Sequence, residues 1–310
     1  MFFESDFGRV VYDCYTPSNP NGIVVQIAHG MVEHRARYAW LCQKLAHAGY
    51  KVYINDHRGH GDSIGGEVSL GEMGREGFER AVGDMHTLNA LIKAENPNAK
   101  IVLLGHSMGS LLSRRFLQLH EGCIDALILS GTPSPNPLAR LGSSLAFALE
   151  SIAFNKGLKR LFGKVICHFS LGRFNAKFKQ ESPQSPSHWI CSDKAVVAAY
   201  DADPKAQFIF SLRSFGNLFG GLKRVFSRYP HAIKKPHLPV LFVSGVEDAC
   251  GEFGEGVVRA YKHLISQGYE NVSLKLYSAC RHEVFNEVHK ERYLDDVLTW
   301  LKQIIFRFLS

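Results

Sequence analysis

The sequence contains no run of about 18 apolar residues, the length a helix needs to cross a bilayer, so no membrane span is expected. It opens Met1-Phe2-Phe3-Glu4-Ser5-Asp6, without the basic start and apolar stretch of a secretory leader. Its seven cysteines (Cys14, Cys42, Cys123, Cys167, Cys191, Cys250 and Cys280) include no Cys-x-x-Cys pair. An odd, unpatterned set favours reduced thiols, and hence a cytoplasmic location, over a disulfide framework or a zinc site. Each cysteine reads first as a small buried hydrophobe. There is no internal repeat, no low-complexity tract, no Gly-rich phosphate loop and no RNA-binding aromatic signature. Nucleic acid is therefore not an expected partner.

Acidic residues are nearly missing from one stretch. Lys and Arg total 36 against 29 Asp and Glu, a net of +7. Between Arg140 and Lys179 stand eight basic residues: Arg140, Lys156, Lys159, Arg160, Lys164, Arg173, Lys177 and Lys179. Glu150 is the one acid there, and eight minus one leaves +7, so the remainder of the chain sums to zero. Eleven of the 21 Phe lie between Phe147 and Phe226. A basic, aromatic-rich surface fits peripheral contact with an anionic membrane; the plainer reading is a solvated face over a helical core.

What is present is ordinary globular material. The 310 residues are about twice a typical domain of ~150, which allows one large domain or one domain with an insertion. Hydrophobic residues make up 45% and charged residues 21%, which excludes a disordered chain, a coiled coil and a collagen-like fibre.

Short apolar runs bounded by Gly, Pro or Asn predict strands at Val10–Tyr15, Ile23–Ala28, Val52–Asn55, Ile101–Leu104, Ala126–Leu129, Val240–Val243 and Val272–Tyr277. Most are continuous rather than alternating, the pattern of a parallel sheet covered on both faces. Helices are predicted over Arg37–Ala48, Glu76–Glu95, Met108–His120, Gly254–Ser266 and Glu291–Leu309. This alternation indicates a doubly wound α/β fold. It breaks once. Residues 133–237 show no strand–helix unit, and Leu138, Leu141, Leu145, Leu149 and Ile152 recur at helical spacing. The expected organisation is a core of residues 1–132 and 238–310 with a helical insertion at 133–237.

Gly-x-Ser-x-Gly occurs twice, around Ser63 and around Ser107. The chemistry needs a sharp strand-to-helix turn that lifts the hydroxyl above the sheet. Ser107 lies between the run Ile101-Val102-Leu103-Leu104 and the helix that begins near Met108. Orphan N–H groups at that helix start suit a developing oxyanion. Ser63 has glycine-rich loop on both sides and reads as a loop residue. The competing reading of Ser107 is a simple helix N-cap.

A serine needs a base, and the base an orienting carboxylate. On this fold their order is Ser, acid, His. The acid belongs in the loop after Val240–Gly245, where Glu247 and Asp248 compete and Asp248 is favoured. The base belongs after the last strand, where His282 is the candidate among 15 His. The second oxyanion donor belongs after Ile27-Ala28, which makes the backbone N–H groups of Met31 and Met108 the expected pair. His29 and His34 read as structural or pocket-lining. The stretch Asp56-His57-Arg58-Gly59-His60-Gly61-Asp62 lacks metal-ligand spacing and reads as a hydrogen-bonded loop. No metal or organic cofactor is expected.

His29-Gly30-Met31-Val32-Glu33-His34 with Arg37-Tyr38 resembles the His-Gly-x-x-Glu-His…Arg-Tyr signature of the monoacylglycerol lipase and lysophospholipase-like branch of the α/β-hydrolases, also grouped as serine aminopeptidase S33-like hydrolases. Asp56–Ser63 and Gly105-His106-Ser107-Met108-Gly109-Ser110 are similar to the same branch, and Arg281-His282-Glu283-x-x-Asn286-Glu287 to its bacterial members. His188–Asp193 resembles a Trp-Leu-Ser-Arg-Asp stretch of bacterial relatives, with departures. The resemblance implies a cap over the site and a triad of Ser107, Asp248 and His282. Relatives often carry Asp-x-Asp-Pro-Val after the acid-bearing strand; here the turn is Val246-Glu247-Asp248-Ala249-Cys250.

These observations predict a serine hydrolase cleaving carboxylic esters with medium-to-long acyl chains, of monoacylglycerol or lysophospholipid type. An amidase or aminopeptidase, or an acyltransferase, would share the triad. A non-catalytic binding protein on the same scaffold would usually have lost a triad member.

Overall fold

The computed structural model describes residues 1–178, 180–181 and 185–309, with 305–309 by backbone alone. Lys179, counted above in the basic stretch, lies outside them. Eight strands form one sheet: β1 (Phe2–Ser5), β2 (Gly8–Tyr15), β3 (Ile23–Ala28), β4 (Lys51–Asn55), β5 (Lys100–His106), β6 (Ala126–Ser130), β7 (Val240–Gly245) and β8 (Val272–Tyr277). Their order is β1-β2-β4-β3-β5-β6-β7-β8. β2 pairs antiparallel with β1 and β4, and from β4 to β8 every pairing is parallel.

The strands are continuous apolar runs because both faces of the sheet are covered. Side chains alternate along a strand, and the core divides accordingly. Val24, Leu103, Leu127, Leu129 and Phe242 join one cluster. Their neighbours Val25, Val102, Leu104, Ile128 and Leu241 join another. The first cluster is closed by α2 (Gly77–Glu95), α3 (Met108–His120) and α8 (Glu255–Ser266). The second is closed by α1 (Ala39–His47) and α9 (Lys290–Leu309).

All seven expected strands are present. β1 was not expected: four residues, Phe2-Phe3-Glu4-Ser5, give too little pattern, and β1 exists by pairing with β2 across a turn. The expected helix over Arg37–Ala48 is a 3-10 turn, Arg35–Tyr38, running into α1. Tyr38 Oη donates to Glu33 Oε1 at 2.8 Å and Arg37 pairs with Glu33 Oε2 at 2.8 Å, which holds this first turn back on the preceding loop.

Between β6 and β7 lie α4 (Ala139–Ile152), α5 (Lys156–Ser170), α6 (Lys194–Ala202) and α7 (Leu212–Val225). No strand falls there among the described residues. α4 packs on α7, and α7 packs in turn on α2 and α3. The apolar stripe of α4 is not core. Leu141 is 66% exposed, and Leu138, Leu141, Leu145 and Leu149 line a cavity.

Candidate active site

The parallel registers align the strand ends. Ala28 of β3 is level with Gly105 of β5, His106 with Ser130 of β6, and Gly245 of β7 with Tyr277 of β8. The loops leaving these ends carry residues 29–34, 107, 246–251 and 278–283. Loops at the carboxyl edge of a parallel sheet are where such folds bind ligands.

Ser107 sits at the turn from β5 to α3 with φ 52° and ψ −117°. A non-glycine residue held in such a region costs about 1–3 kcal/mol and persists only where its surroundings enforce it. Here Ser107 N–H donates to Ser130 O at 3.0 Å. Ser110 Oγ donates to Ser107 O at 2.6 Å and is itself bonded by Thr132 Oγ1 at 2.7 Å. The flanking glycines are steric necessities. A Cβ on Gly105 would lie 2.4 Å from Gly109 O, and one on Gly109 would lie 2.1 Å from Ala28 O. Ser107 makes no side-chain cap bond to α3, so the N-cap reading does not describe it. Ser63 is spent otherwise: its fully buried Oγ accepts the Val11 N–H at 2.9 Å.

His282 and Asp248 meet across 34 residues, with Nδ1 3.0 Å from Oδ1. Asp248 is fully buried and also accepts from Ser244 Oγ and Cys250 N–H, each at 2.9 Å. Burial alone would raise this carboxyl's pKa; the facing His282 and the hydrogen bonds it accepts outweigh that and hold it below the ordinary value. Burial would likewise lower the imidazole, but Asp248 prevails and His282 lies above its ordinary value. His282 Nε2 is buried with no hydrogen-bond partner among the described residues. Glu247, the competing acid, stands 3.9 Å from Arg281 Nε with a side chain 41% exposed.

Met31 and Met108 flank the same space. Met108 is the first residue of α3, and both methionines line the cavity with Ser107 and His282. The loop holding Met31 is braced by Glu33, which accepts the Gly30 N–H. His29 is structural. Its Nδ1–H donates to Gly30 O at 2.8 Å and its Nε2 accepts the His57 N–H at 2.9 Å. Burial pushes it down to about 4, so it carries no charge at neutral pH. His34 Nε2 bonds Asp203 Oδ2 at 2.6 Å, joining this loop to the insertion.

The Asp56–Asp62 stretch is a hydrogen-bonded loop. Asp56 accepts from Arg35 and from the Asp62 N–H, and Arg58 is paired with Asp84 and Asp6. Among the described residues no group of three or more His, Cys, Asp or Glu is arranged to hold a metal ion.

The sequence reading missed several residues around His282. His106 packs 4.7 Å from the His282 ring, and Trp189 of the insertion 4.8 Å from it. Glu283 is buried and paired with Arg37 at 2.7 and 2.8 Å. Their positions lay within quoted motifs, yet nothing in spacing alone told which side chains meet the imidazole.

The cavity above Ser107 measures about 1340 Å³. Leu141, Leu145, Leu149, Phe169, Phe219 and Leu222 are among its apolar walls. The loops after β3, β6, β7 and β8, the β5–α3 turn and the helices α4, α5 and α7 thus line one space that contains Ser107 and His282.

The family model described as serine aminopeptidase, S33, matches residues 18–289. The chain belongs to this family. A monoacylglycerol lipase of Mycolicibacterium smegmatis is 30% identical over 94% of this chain and 92% of its own length. A monoglyceride lipase of Rattus norvegicus is 25% identical over 94% and 86%. A thermostable carboxyl esterase from Bacillus coagulans superposes with a TM-score of 0.83 at 26% identity, covering 100% of this chain and 98% of that one. The S33 hydrolase has the α/β-hydrolase fold and is a carboxylic ester hydrolase. Among the described residues no helix is long and apolar enough to cross a membrane.

Proposed function

We propose that this S33 hydrolase cleaves medium-to-long-chain monoacyl esters, of monoacylglycerol or lysophospholipid type, through Ser107, His282 and Asp248. One observation carries the reading: the strained Ser107 and the unpartnered Nε2 of an Asp-buttressed His282 line one apolar cavity.

Ser107 Oγ attacks the ester carbonyl carbon as His282 Nε2 takes its proton. The carbonyl oxygen becomes an oxyanion that accepts from the Met31 and Met108 N–H groups. Each such donor is worth about 10²–10³ in kcat. Collapse of the intermediate breaks the acyl–oxygen bond, and the imidazolium returns its proton to the leaving alcohol. Water, deprotonated by His282, then releases the acid. Asp248 stays ionised throughout, and its lowered pKa supports that role.

In this reading residues 133–237 act as the cap. The apolar walls support an acyl-chain site, and the lipase relatives support the substrate class. A panel of p-nitrophenyl esters from acetate to palmitate tests it. A maximum beyond butyrate is expected, whereas a maximum at acetate removes the lipid substrate. Because the family description names an aminopeptidase, matched amides belong in the same panel, and an added alcohol acceptor tests acyl transfer.

The cap also supports docking on an anionic bilayer. On α5, Lys156, Arg160 and Lys164 form an exposed stripe beside exposed Leu161, Val165 and Phe169. Phe154 is 86% and Phe169 75% exposed. Such a surface places apolar side chains in the acyl boundary and cations at the headgroups. Sedimentation with phosphatidylglycerol vesicles is expected, weakened by salt. Binding indifferent to salt removes the electrostatic part.

A further inference from the structure

We infer that Arg281 is a positioning residue for the general base, acting through the turn at residues 188–192. The inference rests on His282 being that base. By sequence this turn lies in the insertion. By bonding it belongs to the catalytic loop.

Arg281 is buried, although it carries a charge. Its Nη1 donates to His188 O at 2.6 Å and to Cys191 O at 3.2 Å. Its Nη2 donates to Glu181 Oε1 at 2.5 Å, and the guanidinium covers the Phe178 ring at 4.0 Å. A planar fork with fixed donor directions suits this capture of two carbonyls and a carboxylate. The neighbouring backbone repeats the attachment. Glu283 N–H donates to Ile190 O at 2.8 Å. Glu287 Oε1 accepts from both Arg281 N–H at 2.8 Å and Ser192 N–H at 3.0 Å, and its other oxygen accepts from Ser192 Oγ. The turn is therefore fastened on both sides of His282.

The fastened turn carries Trp189, whose ring lies 4.8 Å from the imidazole with the planes at 42°. Asp248 fixes His282 at one atom, Nδ1. A single hydrogen bond leaves the ring free to swing about that contact, which would carry Nε2 away from Ser107. Trp189 and His106, packed on the ring, restrict the swing. Arg281 touches no atom that reacts; it sets where Trp189 stands, and it reaches toward the acid-bearing loop through Glu247 at 3.9 Å.

The test is steady-state kinetics of Arg281→Gln, Arg281→Lys and Ser192→Ala on a soluble short-chain ester, with active sites titrated by a fluorophosphonate. In Arg281→Gln, kcat per titrated site falls roughly 10- to 100-fold, KM stays within about twofold, and the labelling of Ser107 slows by the same factor. The acid limb of kcat/KM moves toward the ordinary histidine value of about 6.5. Arg281→Lys recovers part of the rate, and Ser192→Ala shifts the same quantities less. A merely structural role lowers the number of titrated sites and leaves kcat per site and the pH profile at wild-type values; that result overturns the inference. If Arg281→Gln does not fold, Ser192→Ala decides by the same measures. Failure of the underlying reading looks different, since His282→Ala would then remain active.

Discussion

Arg37 and Glu283, 246 residues apart, form a two-pronged ion pair with hydrogen bonds of 2.7 and 2.8 Å. The same guanidinium bonds Glu33 and lies 4.7 Å over the Tyr200 ring of α6. One side chain thus joins the loop of Met31, the loop of His282 and the insertion. Both partners are nearly free of solvent, so removing one leaves the other's charge buried and unpaired. Arg37→Ala is expected to lower unfolding stability by about 3–5 kcal/mol in urea titration. A loss below about 1 kcal/mol, the range of exposed pairs, contradicts the clamp.

Ser107→Ala is expected to reduce ester hydrolysis by about 10⁴- to 10⁶-fold and to abolish fluorophosphonate labelling. Ser63→Ala should keep labelling and turnover, because its hydroxyl serves Val11 N–H. Its cost is one buried hydrogen bond, about 1–3 kcal/mol of stability. Labelling lost in Ser63→Ala and kept in Ser107→Ala would reverse the assignment.

The acid side of the pH profile follows from His282. In the proposed mechanism its reactive form is the neutral imidazole, and Asp248 raises its pKa against the opposing effect of burial. Activity therefore rises with pH through a midpoint above about 6.5. In Asp248→Asn the attraction is gone and burial remains. The midpoint then moves down while kcat falls about 10⁴-fold. A wild-type midpoint at or below the ordinary value contradicts the pairing.

Acid stability should fall for a separate reason. Burial pushes His29 to about 4, His60 to about 3 and His106 to about 4. The unfolded chain binds protons at these groups from about pH 6.5 downward, before the folded protein does. Their contribution is intact above that pH and erodes as pH falls toward the depressed values. Denaturant midpoints at pH 7, 5.5 and 4.5 should decrease in that order; equal midpoints would show that the three histidines are not buried neutral.

Gly109→Ala places a methyl 2.1 Å from Ala28 O and 2.5 Å from His29 O. The backbone must shift where Ser107 and the Met31 loop are set against each other. Expected are a lowered melting temperature and a kcat reduced by about 10²-fold. An alanine variant with wild-type kcat would show that this close approach is not needed.

The sequence by itself determined the parallel sheet and the placement of Ser107. Those features are local: buried strands read as apolar runs, and the elbow needs small residues within two positions of the serine. It also ordered acid before base along the chain. It favoured Asp248 over Glu247 without showing which of the two faces the imidazole, because adjacent residues differ in direction and direction is set by the fold. Only the tertiary structure turned Asp248 onto His282 and Glu247 toward Arg281. The stripe Leu138, Leu141, Leu145 had the spacing of a core helix, yet it lines a cavity. Spacing reports that a helix has an apolar face and is silent on what that face meets. Trp189 against His282 belongs to the same class, a contact between residues far apart in sequence that exists because Arg281 and Glu287 fasten the turn between them.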